Sequence, residues 1–356
     1  MTGPTPNADV GASRDASISV IMPVYNGAAV LPMSLPPLIA MQRAGEIAEI
    51  IVVDDGSTDE TLAVVSALGV RTMPSGGRLG PGGARNAAAP IAVGDVLWFV
   101  DADVVVHDDA AHKLAAALRS SGADAVFGCY DDRPTGTNFL SQYKNLVHHY
   151  YHRREPGDAP TFWAGCGAVR KDVFTAIGGF DAAAYPYPSI EDIELGYRLR
   201  QRGSRIVLVP DIEGTHLKVW RLANLLHTDI ARRALPWSRL ILARTGLADA
   251  LNIGVGERMN AVLAATFVAS VALAAAALVP LWVPAAATVA VGVANRRLFA
   301  TFRRRRGTLF AIGAVAFHQL YYLYSSATFA WCWLERGWEN LRGGQAEAKV
   351  RGDRRD

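Results

Sequence analysis

The sequence predicts an α/β domain with a mostly parallel sheet, followed by interfacial and membrane-spanning helices. Three observations carry that expectation. Short β-branched apolar runs alternate with helix-like segments from Ser17 to about Pro210, as in strands joined by crossover helices. Two of these runs end in aspartates, at the strand ends where open α/β sheets bind ligands. Beyond them apolar residues crowd between Met259 and Leu334, so a hydrophobic fraction of 51% conceals an uneven distribution.

Taken in order, residues 1–16, "MTGPTPNADVGASRDA", are rich in Pro, Gly and small polar residues and are expected as a disordered tail. The stretch lacks the basic start and apolar core of a signal peptide. A domain over 17–216 then offers the strands "ISVIMPV", "EIIVVDD", "GVRTM", "DVLWFVD" and "ADAVFG". Between them the pattern predicts helices over Thr58 to Leu68, capped by Ser57, and over Asp108 to Arg119. An aromatic and His-rich helix, "NFLSQYKNLVHHYYHRR", precedes a strand in "FWAGCGAVR"; the helix "IEDIELGYRLRQRG" and the run "RIVLVP" complete the domain.

Residues 217–257 are expected to be amphipathic. Over Leu217 to Arg244 apolar residues recur at helical spacing among Arg221, Arg232, Arg233, Arg239 and Arg244, which suits a helix lying in a membrane interface or one packed on the domain. The transmembrane part is placed at 258–335. Met259 to Ala294 is long enough for two spans of roughly 17–20 residues, with Pro280 and Pro284 at the turn. The six arginines of "NRRLFATFRRRRG" form a loop that the positive-inside rule puts in the cytosol, on the α/β domain's side. Leu309 to Leu334 is a third apolar stretch, interrupted by His318 and Gln319, that either spans or lies flat; a polar tail follows at 336–356.

A net charge of +3 is too small to suggest a nucleic-acid partner, and the grouping of basic residues in the last third points to membrane lipids instead. Cys129, Cys166 and Cys332 are too few and too scattered for a disulfide framework or a zinc site.

Five segments carry chemistry. "VIMPVYNG" runs a strand into Pro23, Tyr25 and Asn26. "EIIVVDDGSTDET" ends a strand in Asp54 and Asp55, which either bind a ligand or cap the following helix. "PSGGRLGPGGARNAAA" is glycine-rich, with Arg78 and Arg85 suited to a diphosphate; it is neither a P-loop nor a dinucleotide fingerprint, and a plain surface loop has the same look. In "VLWFVDADVVVH" Asp101 and Asp103 face one way from a strand end and repel unless a hard cation such as Mg²⁺ or Mn²⁺ lies between them; a simple turn-forming pair has the same look. "PSIEDIELGYRLRQRG" places Glu191 and Asp192 at a helix start, where the dipole alone also favours acids.

Together, in this order, the five segments resemble the family 2 glycosyltransferases of the GT-A fold, a Rossmann-like α/β architecture. The resemblance runs from Ile18 to about His216 and includes "GCGAVRKDVFTAIGGFD". It implies a nucleotide-diphosphate sugar donor, a lipid-linked or glycan acceptor, and Mg²⁺ or Mn²⁺. Pro23 and Tyr25 would flank the base, Asp55 would accept from it with Asp54 in support, and Arg85 with Arg78 would approach the diphosphate. Asp103 would ligate the metal, with Asp101 nearer the ribose. Asp192 would be the catalytic base that deprotonates the acceptor, and Glu191 would orient it. His216 falls where some relatives hold a histidine near the metal, although a structural role fits equally. Gly165 and Gly167 would let a strand approach the donor sugar, with Cys166 packed between them. His148, His149 and His152 receive no role.

The Gln-x-x-Arg-Trp string of processive synthases is absent, which implies transfer of a single sugar. Two rivals stand beside this expectation. A sugar-phosphate nucleotidyltransferase needs a basic glycine-rich signature after the first strand, where "PVYNG" stands instead; a non-catalytic membrane scaffold would not need every acidic position kept.

Overall fold

A computed structural model describes residues 17–243 and 254–352, with side chains to residue 340. The tail at 1–16, residues 244–253 of the amphipathic region and the last four residues lie outside the described residues.

In chain order the elements are β1 Ile18–Val24, α1 Leu31–Arg43, β2 Glu49–Asp54, α2 Thr61–Ala67, β3 Arg71–Pro74, α3 Gly80–Ala88, β4 Val96–Val100, β5 Val104–Val106, α4 Ala110–Ser121 and β6 Ala125–Tyr130. There follow α5 Phe139–Arg154, β7 Gly157–Asp158, β8 Cys166–Arg170, α6 Lys171–Ala176, α7 Glu191–Gln201 and β9 Ile206–His216. Beyond the sheet lie α8 Leu222–His227, α9 Leu235–Ala243, α10 Val255–Ala275, α11 Trp282–Ala294, α12 Arg296–Arg306 and α13 Thr308–Gly352.

The sheet runs β3-β2-β1-β4-β8-β6-β9-β5, with β7 on β9. The first four strands are parallel, β8 is antiparallel to both β4 and β6, and β6 is parallel to β9. This is the mostly parallel α/β sheet that the sequence predicts. Both faces are covered, so alternate residues of one strand enter different cores: Val20 and Met22 pack with Leu35 and Leu114, while Ile21 packs with Ala84 and Phe99. That double burial is why the strands read as unbroken apolar runs.

Several boundaries move. The run "VLWFVDADVVVH" is two strands, because the chain turns at Asp101 to Asp103 and β5 joins the far edge of the sheet, pairing Val104 with His216. The helix expected from Thr58 begins at Thr61, since Ser57 and Thr58 are held by Asp54 and Asn26 in the preceding turn. The helix expected from Asp108 begins at Ala110. Where a helix is expected from Leu217 to Arg244, the chain is helical without a break from Leu222 to Ala243, as α8, a π-helical turn over Thr228–Ala234, and α9; Arg244 lies outside the described residues.

The six-arginine segment is a helix rather than a loop. Arginine is a good helix former, and Leu298 and Phe302, one turn apart, bury that face of α12. They meet Tyr143 and Leu146 of α5 together with Ala311 and Ala314 of α13. Polar ties reinforce the seam: Arg305 pairs with Asp132 at 2.6 Å, and Arg306 donates to the Asp132 carbonyl at 2.7 Å. Among the described residues one helix, α10, is long and apolar enough to cross a membrane. Its 21 residues reach about 31 Å, whereas the 13 of α11 reach only about 20 Å against a hydrocarbon core of about 30 Å. Leu309 to Leu334 lies inside the continuous α13.

Candidate active site

The carboxyl ends of β1, β2 and β4 open into one cleft. Pro23 is buried in β1 opposite Val53, and Tyr25 follows it into solvent. One face of the Tyr25 ring is covered by the Arg78 guanidinium, 3.5 Å from its centroid, a contact that ties the glycine-rich segment to the end of β1.

Asp54 and Asp55 share a strand end but differ in work. Asp54 accepts from the Ser57 amide at 3.2 Å and shapes the turn into α2. Asp55 is buried and accepts from Ser75 Oγ at 2.7 Å and from the amides of Leu79 and Gly80 at 2.8 and 2.9 Å. It therefore holds the glycine-rich segment. Glycine is required at position 80 twice over: its φ is +73°, and a Cβ would lie 2.6 Å from the Pro186 carbonyl.

Arg85 does not present itself to the cleft. Its side chain is 2% exposed, and it bridges Asp101 at 2.6 Å and Glu191 at 3.4 Å. A buried guanidinium thus draws the end of β4 to the start of α7. Glu191 also accepts from the Ser189 amide, while Asp192 accepts from the amides of Ala164 and Ile193 at 3.1 and 2.8 Å. Burial raises both carboxyls; Glu191 reaches about 7, helped by the adjacent Asp192 charge and opposed by Arg85.

The Asp101 to Asp103 corner is held by backbone on both sides. The Asp101 amide donates to the Gly165 carbonyl at 3.1 Å, and the Leu217 amide to the Asp103 carbonyl at 2.9 Å. A Cβ on Gly165 would stand 2.5 Å from the Trp163 indole, so only glycine lets that ring lie here. Cys166, next to it, is buried and its thiol is pushed up to about 12 by burial, which leaves it a packing group. About a third of each aspartate side chain stays open to the cleft. Burial, then the charges of Asp103 and Asp192, raises Asp101 against the pull of Arg85. Burial also works to raise Asp103, but His216 and Lys218 outweigh it and hold that carboxyl low.

His216 lies 3.6 Å from Asp103 and stacks on Tyr130, centroid to centroid 4.2 Å. Two carboxylates that repel, with an imidazole beside them, form a donor set that fits a hard or borderline divalent cation such as Mg²⁺ or Mn²⁺.

Sequence reasoning missed the wall opposite. A cavity of about 140 Å³ beside Asp192 is lined by Lys144, His148, Trp163, Arg233 and Trp237. His148 and His152 lie one helical turn apart on α5, and nothing local in the sequence ties them to Asp192 or to Arg233.

Comparison with known proteins follows this geometry. Residues 19–178 match the family model described as Glycosyl transferase family 2. The chain is 31% identical over 225 residues to a validoxylamine A glucosyltransferase of Streptomyces hygroscopicus subsp. jinggangensis, covering 52% of each chain. It is 31% identical over 206 residues to an N-acetylglucosaminyl-diphospho-decaprenol L-rhamnosyltransferase of Mycobacterium tuberculosis, covering 48% of this chain and 66% of that one. It thus spans about half to two thirds of the length of these relatives. Its fold is similar to that of a mannosyltransferase from Pyrobaculum calidifontis solved with GDP-Man and Mn²⁺, with a TM-score of 0.60 at 22% identity over 90% of this chain and 88% of that one.

Proposed function

Because its domain at 19–178 belongs to glycosyl transferase family 2, we propose that the chain is an inverting, metal-dependent, membrane-anchored glycosyltransferase. It passes one sugar from a nucleotide-diphosphate sugar to a lipid-linked or membrane-proximal acceptor, in the synthesis of a cell-envelope glycan or glycolipid. Arg85 carries this reading: by bridging Asp101 and Glu191 it sets the Asp-x-Asp corner and the Glu-Asp helix start around one cleft.

Asp192 accepts the proton of the acceptor hydroxyl as that oxygen bonds to the sugar's anomeric carbon; the bond to the diphosphate oxygen breaks and its electron pair leaves with the nucleoside diphosphate. Attack opposite the leaving group inverts the centre. Glu191, which accepts from the Ser189 amide and is held by Arg85, orients this base. A divalent cation held by Asp103, with Asp101 and His216, would neutralise the leaving diphosphate. Tyr25 and Arg78 offer the base a flat edge, and Asp54 and Asp55 shape its surroundings.

Apolar α10 supports a membrane anchor, and the arginines of α12 at Asp132 support a catalytic domain on the cytosolic side. The rhamnosyltransferase relative is named for a diphospho-decaprenol acceptor, which supports a lipid-linked one here.

Purified protein is expected to gain thermal stability from UDP or GDP sugars only with Mn²⁺ or Mg²⁺ present. Asp103→Ala removes that gain. Asp192→Asn keeps it but lowers transfer to membrane lipid by about 10²–10⁴-fold. Full transfer by Asp192→Asn, or stabilisation independent of metal, overturns these assignments.

A further inference from the structure

His148 has no hydrogen-bond partner. Both its ring nitrogens are buried, and neither is satisfied among the described residues. The ring is wedged among His152 at 3.8 Å, Tyr130 at 4.3 Å and Trp163 at 4.7 Å, and burial pushes its pKa well down, so it is a neutral donor and acceptor facing the cavity of Asp192. A native fold rarely buries such a group without a ligand or water to satisfy it.

Arg233 is the second unmatched group. It comes from the π-helical turn, a conformation that concentrates at functional sites, and its guanidinium makes no ion pair or hydrogen bond among the described residues. The carboxylates nearby are committed elsewhere. Asp229 accepts from Lys144 and Tyr324, and Glu257 from Tyr151, Arg154 and Tyr322. Among the described residues Arg233 therefore stands without an ion pair in the chamber of Asp192, whose carboxylate accepts from backbone amides.

A larger cavity of about 600 Å³ opens between α9, α10 and α13, walled by Ile241, Val262, Ala265 and Phe329. Lys144, Arg233, Trp237 and Tyr321 line both spaces, so the apolar cleft adjoins the chamber of Asp192.

We propose that the two cavities form one channel for a lipid phosphate, whose phosphate is held by Arg233 and His148 and whose apolar chain lies between α9, α10 and α13. A guanidinium fork grips phosphate oxygens in pairs, and the His148 N–H adds a donor. The acceptor hydroxyl, carried next to the phosphate on the same lipid, then meets Asp192. The use of the bound lipid rests on the glycosyltransferase reading; its binding does not.

The test uses the full chain in nanodiscs and a farnesyl phosphate analogue with a diazirine in its tail. Cross-links mapped by mass spectrometry are expected at 261–265 of α10 or 325–329 of α13. Farnesyl phosphate competes, and farnesol and inorganic phosphate each compete at least tenfold less well. Arg233→Gln weakens the competition by roughly tenfold or more, and Ala265→Trp, which fills the tail end, abolishes labelling while leaving Arg233 in place. Metal-dependent nucleotide binding on the same samples reports that each variant is folded.

Equal competition by farnesol overturns the phosphate assignment, and competition by inorganic phosphate as strong as by farnesyl phosphate overturns the lipid. Labelling elsewhere, or folded variants that behave as wild type, overturns the channel. Should nucleotide sugars fail to bind while farnesyl phosphate competes as expected, the donor reading fails and the channel stands.

Discussion

Glu191 keeps its proton further up the pH scale than an ordinary carboxyl, about 7 against 4.5, because burial and the neighbouring Asp192 outweigh Arg85. The folded value lies above the unfolded one. Its stabilising contribution is therefore complete below about 4.5 and is lost as the pH rises towards 7. Glu191→Gln cannot titrate and is expected to gain thermal stability relative to wild type across that window, levelling off above it. Melting temperatures of the two proteins from pH 4 to 8 check the sign; a constant difference would sink the assignment. The same crowding explains what could be read in advance. Asp101, Asp103, Glu191 and Asp192 stand at the ends of strongly patterned elements, where sequence position implies a place in the fold. His148 and Arg233 do not, since the cavity they share arises only when α5 meets the π-helical turn.

At the scale of elements, the glycine-rich segment depends on one carboxylate. Asp55→Ala strands the amides of Leu79 and Gly80 and leaves the Ser75 hydroxyl to the Gly77 carbonyl. A loss of about 1–3 kcal/mol is expected, measured as a lower midpoint of thermal unfolding without ligand; an unshifted midpoint would show that the segment is held by other contacts. The parallel strands were legible because burial on both faces leaves them continuously apolar, while β5 was hidden by lying against β4 in the same apolar run. Arginines disguise α12: six of them in thirteen residues suggest a loop, although Leu298 and Phe302 mark a buried helical face.

Across the whole molecule, α5 is the shared wall: one side meets the sheet and the other meets α12 and α13. A chain ended at residue 243 would bare Tyr143, Leu146 and their neighbours. Such a truncation is expected to elute as aggregate in size-exclusion chromatography without detergent, and a monodisperse peak would show that the catalytic domain closes its own surface. Composition announced the C-terminal apolar region but not this seam, which depends on aromatic and alanine positions far apart in the chain.

The hydrogen bond from Leu217 to the Asp103 carbonyl leaves no slack between the Asp101 to Asp103 corner and the helices that follow. Thr135 grips the Leu217 carbonyl, and the Trp220 amide is fastened to Ser141 on α5. The chain thus departs the cleft as a short stiff lever rather than a tether. A chimera that borrows another anchor must splice beyond Trp220, because a graft made at His216 would loosen the hinge pin on which the Asp-x-Asp turn is set.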